Sequence, residues 1–399
     1  MSRASGARGG SAGFHLGLSG AFLDQPMVGS GQYVRNLLRE LLKIHRGRLT
    51  VFCPTRSSYV AADELLAGAG RDVEGGRIFV PSLLGGALGK VWFELFGLPG
   101  AAGKARCDVL HVPYLGPPLG ASSPVVVTVH DLIPVVVPAH RGSLLTQAYT
   151  GLACTGVRRA RLIIADSAYS KRDILEYLKI PPERIRVIHL AAESRYQPVA
   201  DESELERVRQ RYDLNAPFVF YVGGLERRKN VPALIDAFAE APPPWRLAIA
   251  GEPYGGRGRL FSDLVAEARE AGIAERVRFL GRVPVEDLPA LHSLAGLFVY
   301  PSLYEGFGLG PLEAMACGAP VLCSNRTSLP EVVGDAAALF DPGDPDDLPD
   351  QLVRLLKDEA ARRQMARRCL ARARSFSWRR TARETYAVYR EALSARNAP

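Results

Sequence analysis

Glu305 and Glu313 stand eight positions apart, and Gly306, Phe307, Gly308, Leu309 and Gly310 lead from the first of them into Pro311. Glycines just ahead of a helix let backbone amides approach a ligand closely, and a helix N-terminus favours an anion. Proline suits the first helical turn, where its missing N–H has no partner to lose. The string reads as a phosphate cradle with a carboxylate on either side. Upstream, Gly223 and Gly224 close the apolar run FVFYV, and Arg227, Arg228 and Lys229 follow. Such cations neutralise a diphosphate, arginine by bidentate hydrogen bonds and lysine as a compact charge. His130 directly follows the run VVVTV, where it can donate to a sugar hydroxyl or move a proton. Gly29, Ser30 and Gly31 precede a helical pattern of Tyr33, Leu37, Leu38, Leu41 and Leu42, again presenting amides at a helix start. Each feature alone has a plainer reading: a tight turn, a surface charge cluster, a histidine satisfied by local backbone, an N-cap.

The elements that would carry these residues alternate. Short apolar runs (LTVFCP, VVVTVH, LIIADSA, RIRVIHL, FVFYVGG, RLAIAGE, RVRFLG, LFVYPS) are separated by helical patterns. Continuous rather than alternating apolar runs are what strands covered on both faces require, so parallel α/β sheets are expected. A polar, proline-containing stretch near Arg195 places a linker at about 193–214, between an N-terminal domain over 14–195 and a C-terminal one over 213–378. Both read as doubly wound units, in which ligands bind at the carboxyl ends of the strands, so a cleft between them is the expected site. Residues 1–13, small and basic, are expected to be a disordered lead-in.

With 399 residues, 47% hydrophobic and 23% charged, the chain has the composition of a globular protein of two domains. Its six cysteines lie in no CxxC pair and no Cys/His cluster, so buried free thiols are expected and a structural metal is not. No stretch reaches the roughly 20 apolar residues that span a bilayer. The net charge of +8 is concentrated: residues 351–399 hold thirteen Lys/Arg against four Asp/Glu. Arg362, Arg363, Arg367, Arg368, Arg372 and Arg374 follow a helical pattern that suits water or an anionic membrane surface; without interleaved aromatics it does not suit nucleic acid.

The string from Glu305 to Glu313 resembles the E-x7-E signature of retaining glycosyltransferases, particularly family 4 with its GT-B fold; the likeness is strongest over 217–345 and weaker over 14–195. That resemblance implies two Rossmann-like domains facing a central cleft, with a final segment, 379–399, crossing back to the first. It places Glu305 by the transferred sugar, as a weak candidate nucleophile, and Glu313 on the ribose hydroxyls. LERRKN is similar to the family segment that binds the donor diphosphate, matching Lys229 best and Arg228 next. Gly224 stands where many members carry arginine, a departure from the family at one phosphate contact. His130 matches the histidine beside the donor sugar, and Gly29, Ser30 and Gly31 the turn over the donor phosphates that borders the acceptor. Arg282 and Val283 match the place where backbone reads the nucleobase. Glu252 stands where many members have lysine, and 324–331 resembles a loop beside the donor with no catalytic assignment. His130, Glu305, Lys229 and Arg228 are thus the expected catalytic set.

The activity this resemblance implies is transfer of a sugar from a nucleoside diphosphate to an acceptor hydroxyl with retention, in polysaccharide or glycolipid assembly. The donor favoured is GDP-mannose; the acceptor is a sugar, a lipid-linked molecule or a small molecule. None of these segments carries a DxD pattern, so cations must stabilise the leaving group, and neither a metal nor a cofactor is expected. The cytoplasm is the expected location, with peripheral contact at the inner membrane face. The rival readings are an epimerase or phosphorylase of the same fold, or a silent nucleotide-sugar binder; no lysine signature for pyridoxal phosphate stands out.

Overall fold

The computed structural model describes residues 13–67, 73–82, 85–116, 118–252 and 260–394. The expected lead-in, apart from Gly13, lies outside them. The apolar runs form two sheets, and every pairing with a defined register is parallel. The first holds β1 (Leu16–Ser19), β2 (Gly47–Cys53), β3 (Val73–Phe79), β4 (Val109–Val112), β5 (Val125–Val129), β6 (Leu162–Ala165) and β7 (Ile185–Val187), in the order β3-β2-β1-β4-β5-β6-β7. The second holds β8 (Phe218–Val222), β9 (Arg246–Ala250), β10 (Val277–Gly281), β11 (Leu297–Tyr300), β12 (Val321–Ser324) and β13 (Ala338–Phe340), in the order β10-β9-β8-β11-β12-β13. Both are the doubly wound order, which reverses between β1 and β4 and again between β8 and β11.

The central strands are buried on both faces: every residue of β1, β4, β5, β6, β11 and β12 is buried. A side chain such as Phe298, wholly covered, contributes about 2–3 kcal/mol through its removal from water. The six cysteines are buried and free, as expected.

By packing, the chain divides into two compact units, one of Met1–Thr128, Gly151–Ile164 and Ala382–Pro399, the other of Val129–Thr150 and Ala165–Thr381. The stretch read as a linker contains a helix, Glu202–Tyr212, capped by the Asp201 carboxylate. Buried Val208 and the bonds from Arg207 (2.5 Å) and Tyr212 (2.7 Å) to the fully buried Asp287 fasten that helix into the second unit.

In the first unit, the helix Gly29–Ile44 buries Tyr33, Leu37, Leu38, Leu41 and Leu42, the face expected of it. It begins at Gly29, so Gly29, Ser30 and Gly31 form its first turn rather than a turn ahead of it. Gly31 is required there: a Cβ would lie 1.9 Å from the Gln25 carbonyl oxygen. A chain of buried hydrogen bonds crosses this core, Tyr33 to Thr128 (3.0 Å), Thr128 to His111 Nε2 (2.9 Å), and Tyr389 to His111 Nδ1 (2.7 Å), tying in the last helix, Trp378–Ser394.

Candidate active site

In the second unit, β8 and β11 are neighbours at the point where strand order reverses, and the two segments that leave their carboxyl ends carry the predicted residues. After β8, Gly223 and Gly224 lead to a 3-10 turn, Arg227–Lys229, and then to the helix Val231–Phe238. After β11, the loop 301–308 carries Glu305 to the helix Leu309–Ala316. That helix opens at Leu309, with Gly308 as its cap, so Pro311 is in its first turn but does not begin it. The first amides of any helix lack an intrahelical partner, and here they belong to Leu309, Gly310 and their neighbours.

The two segments meet in a cluster of ions. Lys229, only 7% exposed, donates from Nζ to Glu305 Oε1 at 2.5 Å and to the Tyr300 hydroxyl at 2.8 Å. Arg228 approaches the same carboxylate oxygen at 3.7 Å, donates to Glu226 at 2.7 Å and to the Tyr304 carbonyl at 3.1 Å. Burial alone would raise the Glu305 carboxyl, but Lys229 and Arg228 outweigh it and hold it below the usual range, so Glu305 is ionised. Burial pushes the Lys229 ammonium down, Arg228 in the same direction, and Glu305 only partly restores it. Arg227 instead is exposed. An ammonium has three N–H donors, and two of those on Lys229 are engaged, so one is left for a phosphate oxygen.

His130 and Asp131, at the end of β5, belong to the same unit and lie against the Glu305 loop. At Gly306 a Cβ would sit 1.9 Å from the His130 carbonyl oxygen, so only glycine allows that approach. Ser167 and Ser170 donate to the Gly306 carbonyl at 2.7 and 2.8 Å and fix the loop. His130 Nδ1 meets the buried carboxylate of Asp166 at 2.7 Å, which orients the imidazole with Nε2 directed away from it. Burial raises the Asp131 carboxyl, with the charges of Arg228 and Glu305 in reach of it.

The segment 324–331, which the sequence leaves without a catalytic role, braces the site. Thr327 accepts from the Glu305 amide at 3.0 Å, and Ser328 donates to the carbonyls of Glu305 (2.9 Å) and Phe307 (2.7 Å). Glu331 accepts from the Ala168 amide at 2.9 Å and pairs with His189 at 2.6 Å.

The other expected residues are more dispersed. Glu313 is 7% exposed within the helix Leu309–Ala316. The Phe307 ring is buried against His189 and Phe376, so it is the backbone there that a ligand can meet. Gly224 accepts from the Tyr221 hydroxyl at 2.6 Å. Exposed Arg282 and buried Val283 follow β10 at the sheet edge, two strands from β8. Gly29, Ser30 and Gly31 lie in the first unit. Asp166 and Tyr300 are site residues that no motif in the sequence marks, whereas Thr327 and Ser328 stand in the segment 324–331 that the resemblance sets beside the donor without giving them a role. Only Asp166 has a visible signal, since Asp166-Ser167 ends the run LIIA just as His130-Asp131 ends VVVTV.

Comparison with known proteins agrees with both halves. Residues 202–372 match the model "Glycosyl transferases group 1", and residues 27–193 match "Glycosyltransferase Family 4". The O-antigen chain mannosyltransferase B of Escherichia coli is 41% identical over 233 residues, 58% of this chain and 61% of that protein's length. A D-inositol 3-phosphate glycosyltransferase of Corynebacterium efficiens is 31% identical over 286 residues, 66% of this chain and 67% of the relative. Among solved structures, Anabaena HepE, crystallised with UDP and glucose, superimposes with a TM-score of 0.75 at 20% identity, covering 95% of this chain and all of that one. The two doubly wound domains are thus those of the GT-B class, and the chain belongs to the group 1 glycosyl transferases.

Proposed function

We propose that this chain moves a hexose from a nucleoside-diphosphate sugar to an acceptor hydroxyl, with retention at the anomeric carbon and without a metal ion, in the assembly of a polysaccharide or glycolipid. The observation that carries the reading is the cluster of Lys229, Arg228 and Glu305 at the switch point of the second sheet. As the bond from the anomeric carbon to the diphosphate oxygen breaks, negative charge grows on the leaving group. The third N–H of Lys229 and the Arg228 guanidinium face that charge, and buried cations already held in place need little reorganisation to meet it. Glu305 positions the two cations. A carboxylate held between them is a poor nucleophile, which favours departure and attack on the same face of the sugar, the acceptor proton passing to a leaving phosphate oxygen. His130, fixed by Asp166, stands beside the transferred sugar, and Glu313 holds the ribose.

Mannose is the sugar we favour, carried as GDP-mannose; its support is the mannosyltransferase named among the relatives. The acceptor we favour is a lipid-linked glycan. Mass spectrometry of products from a panel of nucleotide sugars and lipid-linked acceptors tests this. A mass gain of one hexose from GDP-mannose is the expected result, and gain only from other donors removes the mannosyl reading.

A further inference from the structure

Two polar side chains next to the ion cluster take no part in holding it and none in binding the proposed donor. Asp131 follows His130 after β5, and its Cβ lies against Gly306, where an added Cβ would come within 2.9 Å of it. Through Oδ1 the Asp131 carboxyl accepts from the Ile133 amide at 3.0 Å, and Oδ2 has no hydrogen-bond partner among the described residues. His140, in the turn Pro138–His140, is half-buried, and its ring has no hydrogen-bond or ion-pair partner among them either. Both residues belong to the second unit, and one set of charges reaches both: Arg228, His130 and Glu305 act on Asp131, and Glu226, Arg228 and Asp131 act on His140. Burial holds the His140 imidazole below its ordinary range, so it is neutral at neutral pH.

A transfer site must hold two sugars, and Lys229, Arg228, Glu305 and His130 already serve the donor. A phosphate suits Asp131 and His140 poorly, because the carboxylates of Asp131, Glu226 and Glu305 oppose its charge. A metal ion is not the occupant, since no three potential ligands are grouped among the described residues. A sugar hydroxyl both donates and accepts: it can donate to Asp131 Oδ2 and accept from the single N–H of a neutral imidazole. We propose that Asp131 and His140 are the hydroxyl-binding subsite for the acceptor, and that they select a saccharide. An acceptor lacking that hydroxyl leaves both groups unpaired, which is how such groups discriminate. Saccharide binding stands on these two side chains; the attack that follows it rests on the transfer reading.

The test is saturation-transfer NMR of the full chain with methyl α-mannoside and methyl β-N-acetylglucosaminide, in the presence of a fluorinated GDP-mannose that fills the donor's place and turns over slowly. Asp131→Asn keeps an acceptor for the Ile133 amide, and so the local fold, but puts an N–H donor where Oδ2 stood. His140→Ala removes the imidazole from a half-buried turn and breaks no hydrogen bond among the described residues. The wild type is expected to bind at least one of the two saccharides, and each variant to bind it about tenfold more weakly. Affinity for the fluorinated donor, measured by calorimetry, should stay within about twofold of the wild type in both. Equal saccharide binding by wild type and variants overturns the proposal, as does a wild type that binds neither saccharide. Donor affinity lost in the variants with saccharide binding intact also overturns it, since that places the pair on the donor. A wild type that binds the saccharide through this pair but forms no transfer product would count against the transfer reading alone.

Discussion

At the scale of single residues, the site depends on Lys229 keeping its charge while buried. Because its ammonium is held below the ordinary 10.5, the form that can meet a diphosphate is lost earlier on the alkaline side than for a surface lysine. Affinity for a nucleoside diphosphate should therefore fall as pH rises through that depressed value. Calorimetry from about pH 7 to about 10 measures it. In Lys229→Arg, which stays charged over this range, binding at neutral pH should be weaker but the alkaline fall should vanish. If the fall persists unchanged in that variant, Lys229 is not its source. Turnover by Lys229→Met should drop about 100–1000-fold, the usual cost of removing one group that stabilises a leaving anion.

Elements hold this cluster in place, and Gly306 is where they are least tolerant. Its carbonyl receives Ser167 and Ser170, and its α-carbon leaves no room for a Cβ against His130. Gly306→Ala should therefore displace the Glu305 loop, lower stability by about 1–3 kcal/mol and reduce turnover more than tenfold. Gly151→Ala is the contrast, because a Cβ there meets nothing within 4 Å. Thermal melts and donor turnover for the two variants check this, and equal effects would show that the His130 contact is not what constrains the loop. Much at this scale is legible in the sequence. The strand runs, the amphipathic face of Gly29–Ile44 and the loop from Glu305 announce themselves by local pattern. The braces do not. Thr327, Ser328 and Asp166 act through contacts over 22, 23 and 36 residues of chain, and no local pattern tells which distant amide, carbonyl or imidazole a polar side chain will meet.

For the whole molecule, the domain division is the least legible feature, because the chain does not run through one unit and then the other. Val129–Thr150 packs with the second unit, Gly151–Ile164 with the first, and Ala382–Pro399 with the first again. Composition along the chain shows a polar stretch near 195 but not such crossings, of which the family resemblance implies only the last, over 379–399. In the basic C-terminal segment the sequence displays charge alone, while packing engages part of it. Arg362 donates to the Leu355 and Leu356 carbonyls and lies over Trp245, and Arg372 donates to the Glu331 and Val332 carbonyls and lies over Phe376. The central claim, that the ion cluster of the second unit serves retaining transfer from a nucleotide sugar without a metal ion, is most directly tested by proton NMR of the product formed from GDP-α-mannose in the presence of EDTA. The account predicts an α-linked mannoside formed at an undiminished rate. A β-linked product, or a reaction abolished by EDTA and restored by a divalent cation, would contradict it.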